Sequence, residues 1–498
     1  MIRHRVVALL GIASGLDYAA QVVVPILLVR VLSAHDFGGY RLLWLAAQTC
    51  ALVLSLSIAP LLVSQVSQQP PNRKGALFGN AFAYLACTAV LVALMLSPLT
   101  PFAQRLFAGG PINPWLLPLF SALWLVSLPF DQVGLACNRP RDQALLTLGL
   151  AVLRVISVVA AALAWRSLAG VGAALILVAG IRVVVALIYA SRRSHLDGGR
   201  GLVLDGELAR QQLRGGLGFG SSFALNGVRL QADGWVAALR FDPVAVATLG
   251  IAQAAAPLTS ILRMAFTNTA LPVIAADVAA GRIEAAIAVN RHANLMVAAL
   301  LFPMTGMLFA LADPLLTFVF TARFGAAVLP FRIYCVGLLA AALESTTLII
   351  AIGAAAFSFR QGVILAPLAA AACYWGASAI GDPTLGLSGI AIGAVVVGYI
   401  FELWNLVYVK RALGLSWKGF QAWTALGGLL LVNLGATLFT LWIIPTVPTA
   451  WPTLLRLIAG GAAFVTAALV LGVGSPRVRQ VYIDMLGVAP GTRGVIPS

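Results

Sequence analysis

The sequence predicts an all-α polytopic membrane protein of about 14 transmembrane helices. Three observations predict it: an extreme composition, apolar runs of bilayer length, and a one-sided distribution of Lys and Arg. Of 498 residues, 61% are hydrophobic and only 10% are charged, where a soluble domain carries about 25% charged residues. Mean hydropathy is +0.98. A soluble fold of this length cannot hide that much apolar surface, so lipid must be the solvent for most of the chain.

A span needs about 20 predominantly apolar residues. Such runs occupy 6–30, 42–65, 77–97, 113–136, 145–165, 168–190, 215–239, 245–270, 293–312, 328–352, 361–380, 387–409, 423–444 and 454–474. The first run follows a basic start, as in a signal peptide. It continues past signal-peptide length and is interrupted by Asp17, so it reads as an uncleaved first span. Connections are short. The longest polar one, 191–214, follows the sixth span and reads "SRRSHLDGGRGLVLDGELARQQLR". Neither face has room for a soluble catalytic domain.

Alternating the spans from a cytoplasmic N-terminus places 20 of the 32 Lys and Arg residues inside, 8 outside and 4 within spans. Cytoplasmic loops collect positive charge, so this asymmetry supports an even number of spans with both termini cytoplasmic. Arg3, Arg200 and Arg493 belong to the inner set. The same rule accounts for the net charge of +16. With no nucleic-acid-binding motif and no Lys-rich run, nucleic acid is not an expected partner.

Cofactor chemistry has no footing in the sequence. The five cysteines, Cys50, Cys87, Cys137, Cys335 and Cys373, fall in or beside apolar runs without CxxC spacing. They read as small hydrophobes at helix interfaces. His4, His35, His195 and His292 do not cluster, so no metal site is expected. No GxxxxGK[ST] loop is present, so ATP is not expected to drive a cycle directly.

The loop 191–214 reads as a joint between two halves. "LVRVLSAHDFGGYRLLWLAAQ" follows the first span and "ALRFDPVAVATLGIAQAAAP" follows the seventh. Each ends a long helix, turns through a segment with an acid (Asp36, Asp242) and re-enters on a helix with Gln (Gln48, Gln253). Repeated halves with a site at their interface are a common transporter construction.

These two turns resemble those of Wzx-type oligosaccharide flippases, in the multidrug/oligosaccharidyl-lipid/polysaccharide exporter superfamily. "LADPLLTFVFTARFGAAVLPFRI" resembles that family's ninth-to-tenth connection, including Phe324 and Gly325. Ala247 and Leu249 stand where the family usually has Gly and Tyr. The resemblance implies two pseudo-symmetric six-helix lobes around a central cavity, plus two C-terminal helices. On this chain that gives an N-lobe at 1–190, the inter-lobe loop at 191–214, a C-lobe at 215–409, two extra helices at 410–474 and a cytoplasmic tail at 475–498.

Charges inside spans are the candidate functional residues. They are Asp17, Arg154, Arg182, Arg229, Asp233, Arg263, Glu344 and Glu402. A charge at a span centre costs roughly 2.5–3.5 kcal/mol on insertion scales, so eight bare ones would cost on the order of 20 kcal/mol. They must face one another or a watered cavity. Arg182 and Glu402 lie near inner ends and read as snorkelling. Arg229 and Asp233, one turn apart, either neutralise each other or serve the cavity. Arg154 and Glu344 can each pair within its own lobe, and the sequence does not decide it.

In the resembled family, helices 1, 2, 7 and 8 line the cavity, and Asp17, Arg229, Asp233 and Arg263 fall on three of them. Arginine suits a pyrophosphate, because its planar fork gives parallel hydrogen bonds and stays charged. The expected substrate residues are therefore Arg229, Arg263, Asp17, Asp233 and Arg154, with Asp17, Asp233 and Glu344 as candidate sites for a coupling ion. Pro25 and Pro257 remove backbone hydrogen bonds and mark expected bends. Gly11 and Gly15 would allow close helix packing.

The resemblance implies a flippase for a lipid-linked oligosaccharide in O-antigen, capsule or exopolysaccharide synthesis, in a bacterial cytoplasmic membrane. Besides that substrate, the expected partners are membrane lipids, and the basic cytoplasmic loops are available to polysaccharide-assembly enzymes. A cation-drug antiporter would favour an acidic cavity, against four arginines within spans. A peptidoglycan-precursor flippase of the same superfamily, whose cavity is strongly cationic, fits in part. A polysaccharide polymerase or ligase would need a large outer loop, which this chain lacks.

Overall fold

The computed structural model describes residues 4–107, 113–196, 201–378, 383–448 and 450–485. Arg3, Arg200, Arg493 and the tail beyond Met485 lie outside the described residues. Every regular element among the described residues is helical, and each of the fourteen apolar runs has a helical counterpart.

Helix α1 (His4–Val31) is followed by α2, broken into α2a (Ala34–Leu54) and α2b (Ile58–Gln68). Then come α3 (Pro71–Met95) and a broken α4, made of α4a (Leu116–Val126), a 3-10 turn (Leu128–Asp131) and α4b (Val133–Ala136). Next are α5 (Pro140–Trp165), α6 (Leu168–Leu196) and the long α7 (Gly206–Arg240). Helix α8 is broken into α8a (Pro243–Ala252) and α8b (Ala256–Ala279), and α9 spans Ile283–Ala310. Helix α10 is broken again, as α10a (Val328–Leu338), a 3-10 turn (Leu339–Leu343) and α10b (Thr346–Ala351). The chain ends with α11 (Ala355–Ser378), α12 (Pro383–Ala412), α13 (Trp423–Ile443) and α14 (Thr453–Gly474), then a short helix Pro476–Met485.

Among the described residues, ten helices are long and apolar enough to cross a membrane, or eleven if the two pieces of α8 count as one span. Helix α7 is not among them. It is long enough, but Asn226, Arg229, Gln231 and Asp233 occupy its middle.

The sequence alone suggests continuous spans where the structure has four broken ones, and the breaks fall six helices apart. In α2, Leu56 and Ser57 adopt left-handed φ of 46° and 56°. The Leu54 carbonyl at this break accepts from Tyr84 Oη at 2.8 Å. In α8, the pieces meet at 42°, and Gln253 sits at the break while Gln48 stays inside α2a. Helices α4 and α10 share a finer pattern. Each passes from helix to a 3-10 turn, reaches a carboxylate (Asp131, Glu344), makes a short helix and exits near a left-handed residue. Those residues are Asn138 at φ 55° and Gly353 at φ 69°. Backbone groups freed inside a membrane must find partners within the protein. At the α4 break, Gln143 of α5 supplies them: its Oε1 accepts from Gly134 N at 2.9 Å and its Nε2 donates to the Phe130 carbonyl at 3.1 Å.

The chain divides into two compact units, residues 1–250 with 359–377, and 251–358 with 378–498. In the first, α1 packs on α5, α5 on α6, and α4a on α2a, α3 and α6. In the second, α9 packs on α8b and α13, α13 on α14, and α10a on α12.

Helix α7, which opens the expected C-lobe, is part of the first unit and lies along α2. Gly220, Gly227 and Gly234 of α7, seven residues apart, face Leu56, Leu52 and Leu45. The order is antiparallel. A seven-residue repeat keeps one helical face turned to its neighbour, and glycine on that face lets backbones approach closely. Asp205 caps α7, its Oδ1 accepting from Glu207 N and Leu208 N at 3.0 and 3.1 Å.

Candidate functional site

Each charge expected inside a span has a definite environment. Arg154 of α5 is 7% exposed. Its Nη2 lies 2.8 Å from Asp17 Oδ1 on α1, and Gln21 Nε2 donates to Asp17 Oδ2 at 3.0 Å. This contact ties α1 to α5. Arg154 thus pairs within its own half, with Asp17 as its partner.

Arg182 of α6 does not snorkel. It is 8% exposed, its Nη2 lies 2.7 Å from Asp131 Oδ2, and its guanidinium carbon stands 4.3 Å from the Trp124 ring centroid and 5.0 Å from that of Phe130. Burial favours the carboxylate and the aromatic faces over a route to the surface. Asp131 lies inside the run 113–136 and was missed by the sequence reading. Its signal was an acid at the end of "SLPFD", in a run otherwise free of charge.

In the second unit, Arg263 of α8b bonds to Glu344 and donates from Nη1 to Asn294 Oδ1 at 2.9 Å. Glu344 sits at the break of α10, with φ −57° and ψ 132°, rather than inside a continuous helix. Its Oε1 accepts from Thr347 N at 2.9 Å, capping α10b, and its own carbonyl accepts from Asn294 Nδ2 at 2.9 Å. Asn294 is fully buried and Gln421 nearly so. The two arginine–carboxylate pairs Arg182–Asp131 and Arg263–Glu344 therefore close equivalent breaks from different helices. Glu402 is half-buried on α12.

Arg229 and Asp233 stay on one face of α7. Asn226 Oδ1 accepts from Arg229 Nε at 3.0 Å and Nη2 at 2.9 Å. Asp233 is 6% exposed, and its Oδ1 accepts from Gly234 N at 2.7 Å. Beside them, Trp235 Nε1 donates to Thr49 Oγ1 at 2.8 Å across the α2–α7 seam. Asn226 was absent from the sequence reading, because a lone amide in an apolar run carries little signal without its neighbour.

The expected bends separate. Pro25 lies inside α1. Pro257 lies in the first turn of α8b, where its missing N–H has no helical partner to lose. The break beside it, at 253–255, does the bending. Gly11 and Gly15 have no neighbour within 4 Å of a Cβ built on them, so they do not serve packing. The Ser33 hydroxyl accepts from Asp36 N at 3.0 Å to start α2a, and Asp242 Oδ1 accepts from Ala245 N at 2.9 Å to start α8a. The two similar turns thus start their helices by the same capping chemistry. Among the described residues no group of three or more His, Cys, Asp or Glu side chains could hold a metal ion.

A model of the family described as polysaccharide biosynthesis protein matches residues 5–276, more than half of the chain. The chain belongs to that family. No curated protein matches it significantly in sequence. Solved structures share its fold. The lipid II flippase MurJ, in an inward closed conformation, is 12% identical with a TM-score of 0.65, over 96% of this chain and 99% of that one. An inward-facing multidrug resistance MATE family transporter of the MOP superfamily is 14% identical with a TM-score of 0.58, over 80% and 96%. A MOP superfamily transporter from Pyrococcus furiosus is 13% identical with a TM-score of 0.55, over 82% and 95%. This member of the polysaccharide biosynthesis family is a multi-pass membrane protein that shares its fold with transporters of the MOP superfamily.

Proposed function

We propose that the protein flips a lipid-linked oligosaccharide, carried on an isoprenoid pyrophosphate, from the cytoplasmic to the outer leaflet of a bacterial cytoplasmic membrane. The observation that carries this reading is the family match over residues 5–276. Fourteen spans, arranged as two six-helix lobes and two trailing helices with both termini cytoplasmic, complete the reading. The helical counterpart of every apolar run and the paired breaks in α2 and α8, and in α4 and α10, support it. The proposed cycle is alternating access.

The anion is assigned first to Arg229, half-buried on α7 with Asn226 aligning its guanidinium. A planar guanidinium offers parallel donors to phosphate oxygens and remains charged throughout the cycle. Arg154 and Arg263 join only by exchanging Asp17 and Glu344 for phosphate oxygens. Those carboxylates and Asp233 are then candidates for a coupling proton or Na⁺. Arginines inside four helices, Arg154 and Arg182 buried and Arg229 and Arg263 half-buried, favour an anionic substrate over a cationic drug.

The test uses proteoliposomes loaded with a fluorescent isoprenoid-pyrophosphate oligosaccharide, with exposure to an external lectin as the readout. Wild-type protein exposes the sugar and Arg229→Ala does not. Exposure that survives the substitution removes Arg229 from the site while keeping the function. No exposure by folded wild-type protein overturns the substrate, and transport of a cationic drug in its place would establish antiport.

A further inference from the structure

Helices α12 and α13 are both long and apolar enough to cross a membrane, so the segment between them lies at a membrane face. Residues 410–423 read "KRALGLSWKGFQAW", with three cations and no carboxylate. The segment is built rather than loose. Phe420 is 1% exposed and packs in a core cluster with Ile274, Leu348 and Leu406. The Gly419 carbonyl accepts from Arg291 Nη1 at 3.2 Å, and Trp423 Nε1 donates to the Trp417 carbonyl at 2.6 Å.

This anchoring holds two large indoles outward. Trp417 is 44% exposed and Trp423 37% exposed, with ring centroids 6.4 Å apart. Lys410 Nζ lies 5.3 Å from the Trp417 ring centroid, while Arg411 and Lys418 are exposed. The helix Pro476–Met485 follows α14, which returns the chain to the same end of α13. It buries Val478 and Val481 against that end and exposes Arg477 and Arg479. Indole rings settle at headgroup depth, with one edge apolar and one N–H polar. Cations at that depth attract anionic lipid, and the attraction weakens with salt.

We propose that this shelf, Lys410, Trp417, Lys418 and Trp423 with Arg291 behind it, binds the phosphate headgroups of anionic phospholipids. The inference goes beyond the flippase reading and does not depend on the transported substrate. Its placement in the cytoplasmic leaflet rests on the orientation set by the Lys and Arg distribution.

The full chain is reconstituted in phosphatidylcholine vesicles containing equal mole fractions of either brominated phosphatidylglycerol or brominated phosphatidylcholine. Bromine quenches indole fluorescence at contact, and the component lost in Trp417→Phe isolates this residue among the 11 tryptophans. The expected result is about two-fold stronger quenching of that component by the anionic lipid, falling to parity in Lys410→Gln/Lys418→Gln and at high salt. Both lysines lie outside the packed core, so the double variant retains its fold, checked by its thermal transition. Equal quenching by the two lipids in the wild type overturns the proposal and leaves the face to a protein partner. A preference that survives the double substitution overturns it as well.

Discussion

Asn80 and Asp205, 125 residues apart, exchange two hydrogen bonds: Asn80 Nδ2 donates to the Asp205 carbonyl at 2.9 Å, and Asp205 N donates to Asn80 Oδ1 at 3.0 Å. The side-chain amide of α3 reads the backbone of the segment that enters α7 as a peptide edge would. Around it, Gly75 and Gly79 let that segment press on α3, where a Cβ would overlap the carbonyls of Gly201 and Val203. Asn80→Asp replaces the donor with a second acceptor facing the Asp205 carbonyl. It is expected to cost about 1–3 kcal/mol, read as a lower thermal transition in detergent. Asn80→Gln, longer by one methylene, loses the same register. An unchanged transition for both would remove the pair from the stability of α7.

The glycine run "GGLGFG" at the start of the membrane part of α7 offers a contrast within one helix. At Gly220 a Cβ would overlap the Leu56 backbone, whereas at Gly218 nothing lies within 4 Å. Gly218→Ala therefore gains up to about 1 kcal/mol of helix propensity. Gly220→Ala instead pushes α7 off the α2 break and lowers the thermal transition. The opposite order of the two variants would contradict the seam.

Arg263 and Glu344 form a part-buried pair at the α10 break, each side chain 14% exposed. Removing one partner leaves an uncompensated charge, at a cost of about 3–5 kcal/mol, while replacing both by neutral groups of similar size costs much less. Arg263→Met is expected to express poorly. Arg263→Met/Glu344→Gln recovers part of the lost yield and thermal stability. Additive losses in that cycle would argue that the two groups act independently.

Arg154 and Arg229 should separate stability from transport. Arg154→Met strands Asp17 beside α5 and lowers stability, with partial recovery in Arg154→Met/Asp17→Asn. Arg229→Met is expected to keep the stability within about 1 kcal/mol of wild type, with little change in the thermal transition, while abolishing sugar exposure in the lectin assay. A loss of fold in Arg229→Met would make its role structural.

The apolar runs at 145–165 and 168–190 were legible from sequence because bilayer thickness demands about 20 apolar residues per helix, and they appear within helices α5 (Pro140–Trp165) and α6 (Leu168–Leu196). The breaks were not legible. "LLAAALESTTLII" carries no Gly or Pro at Glu344, and at the break there Asn294 Nδ2 satisfies the Glu344 carbonyl, the Glu344 carboxylate satisfies Thr347 N, and Arg263 pairs with that carboxylate. The role of Arg182 was misread for the same reason. Its depth suggested a route to the surface, but Asp131, Trp124 and Phe130, more than 50 residues earlier, make burial the better state.

By itself, then, the sequence determined that this is an all-helical membrane protein with charges held inside its spans, since hydropathy and charge position act locally along the chain. Its two similar turns also pointed to the polysaccharide-exporter resemblance. Only the tertiary structure decided which charge meets which, where α2, α4, α8 and α10 break, and that α7 lies along α2. Those outcomes depend on partners at separations such as 9 residues, for Gly134 and Gln143, and 137, for Asp17 and Arg154. In a low-dielectric interior, a carboxylate or a freed carbonyl takes the environment that its packed neighbours supply, and spacing along the chain does not encode those neighbours.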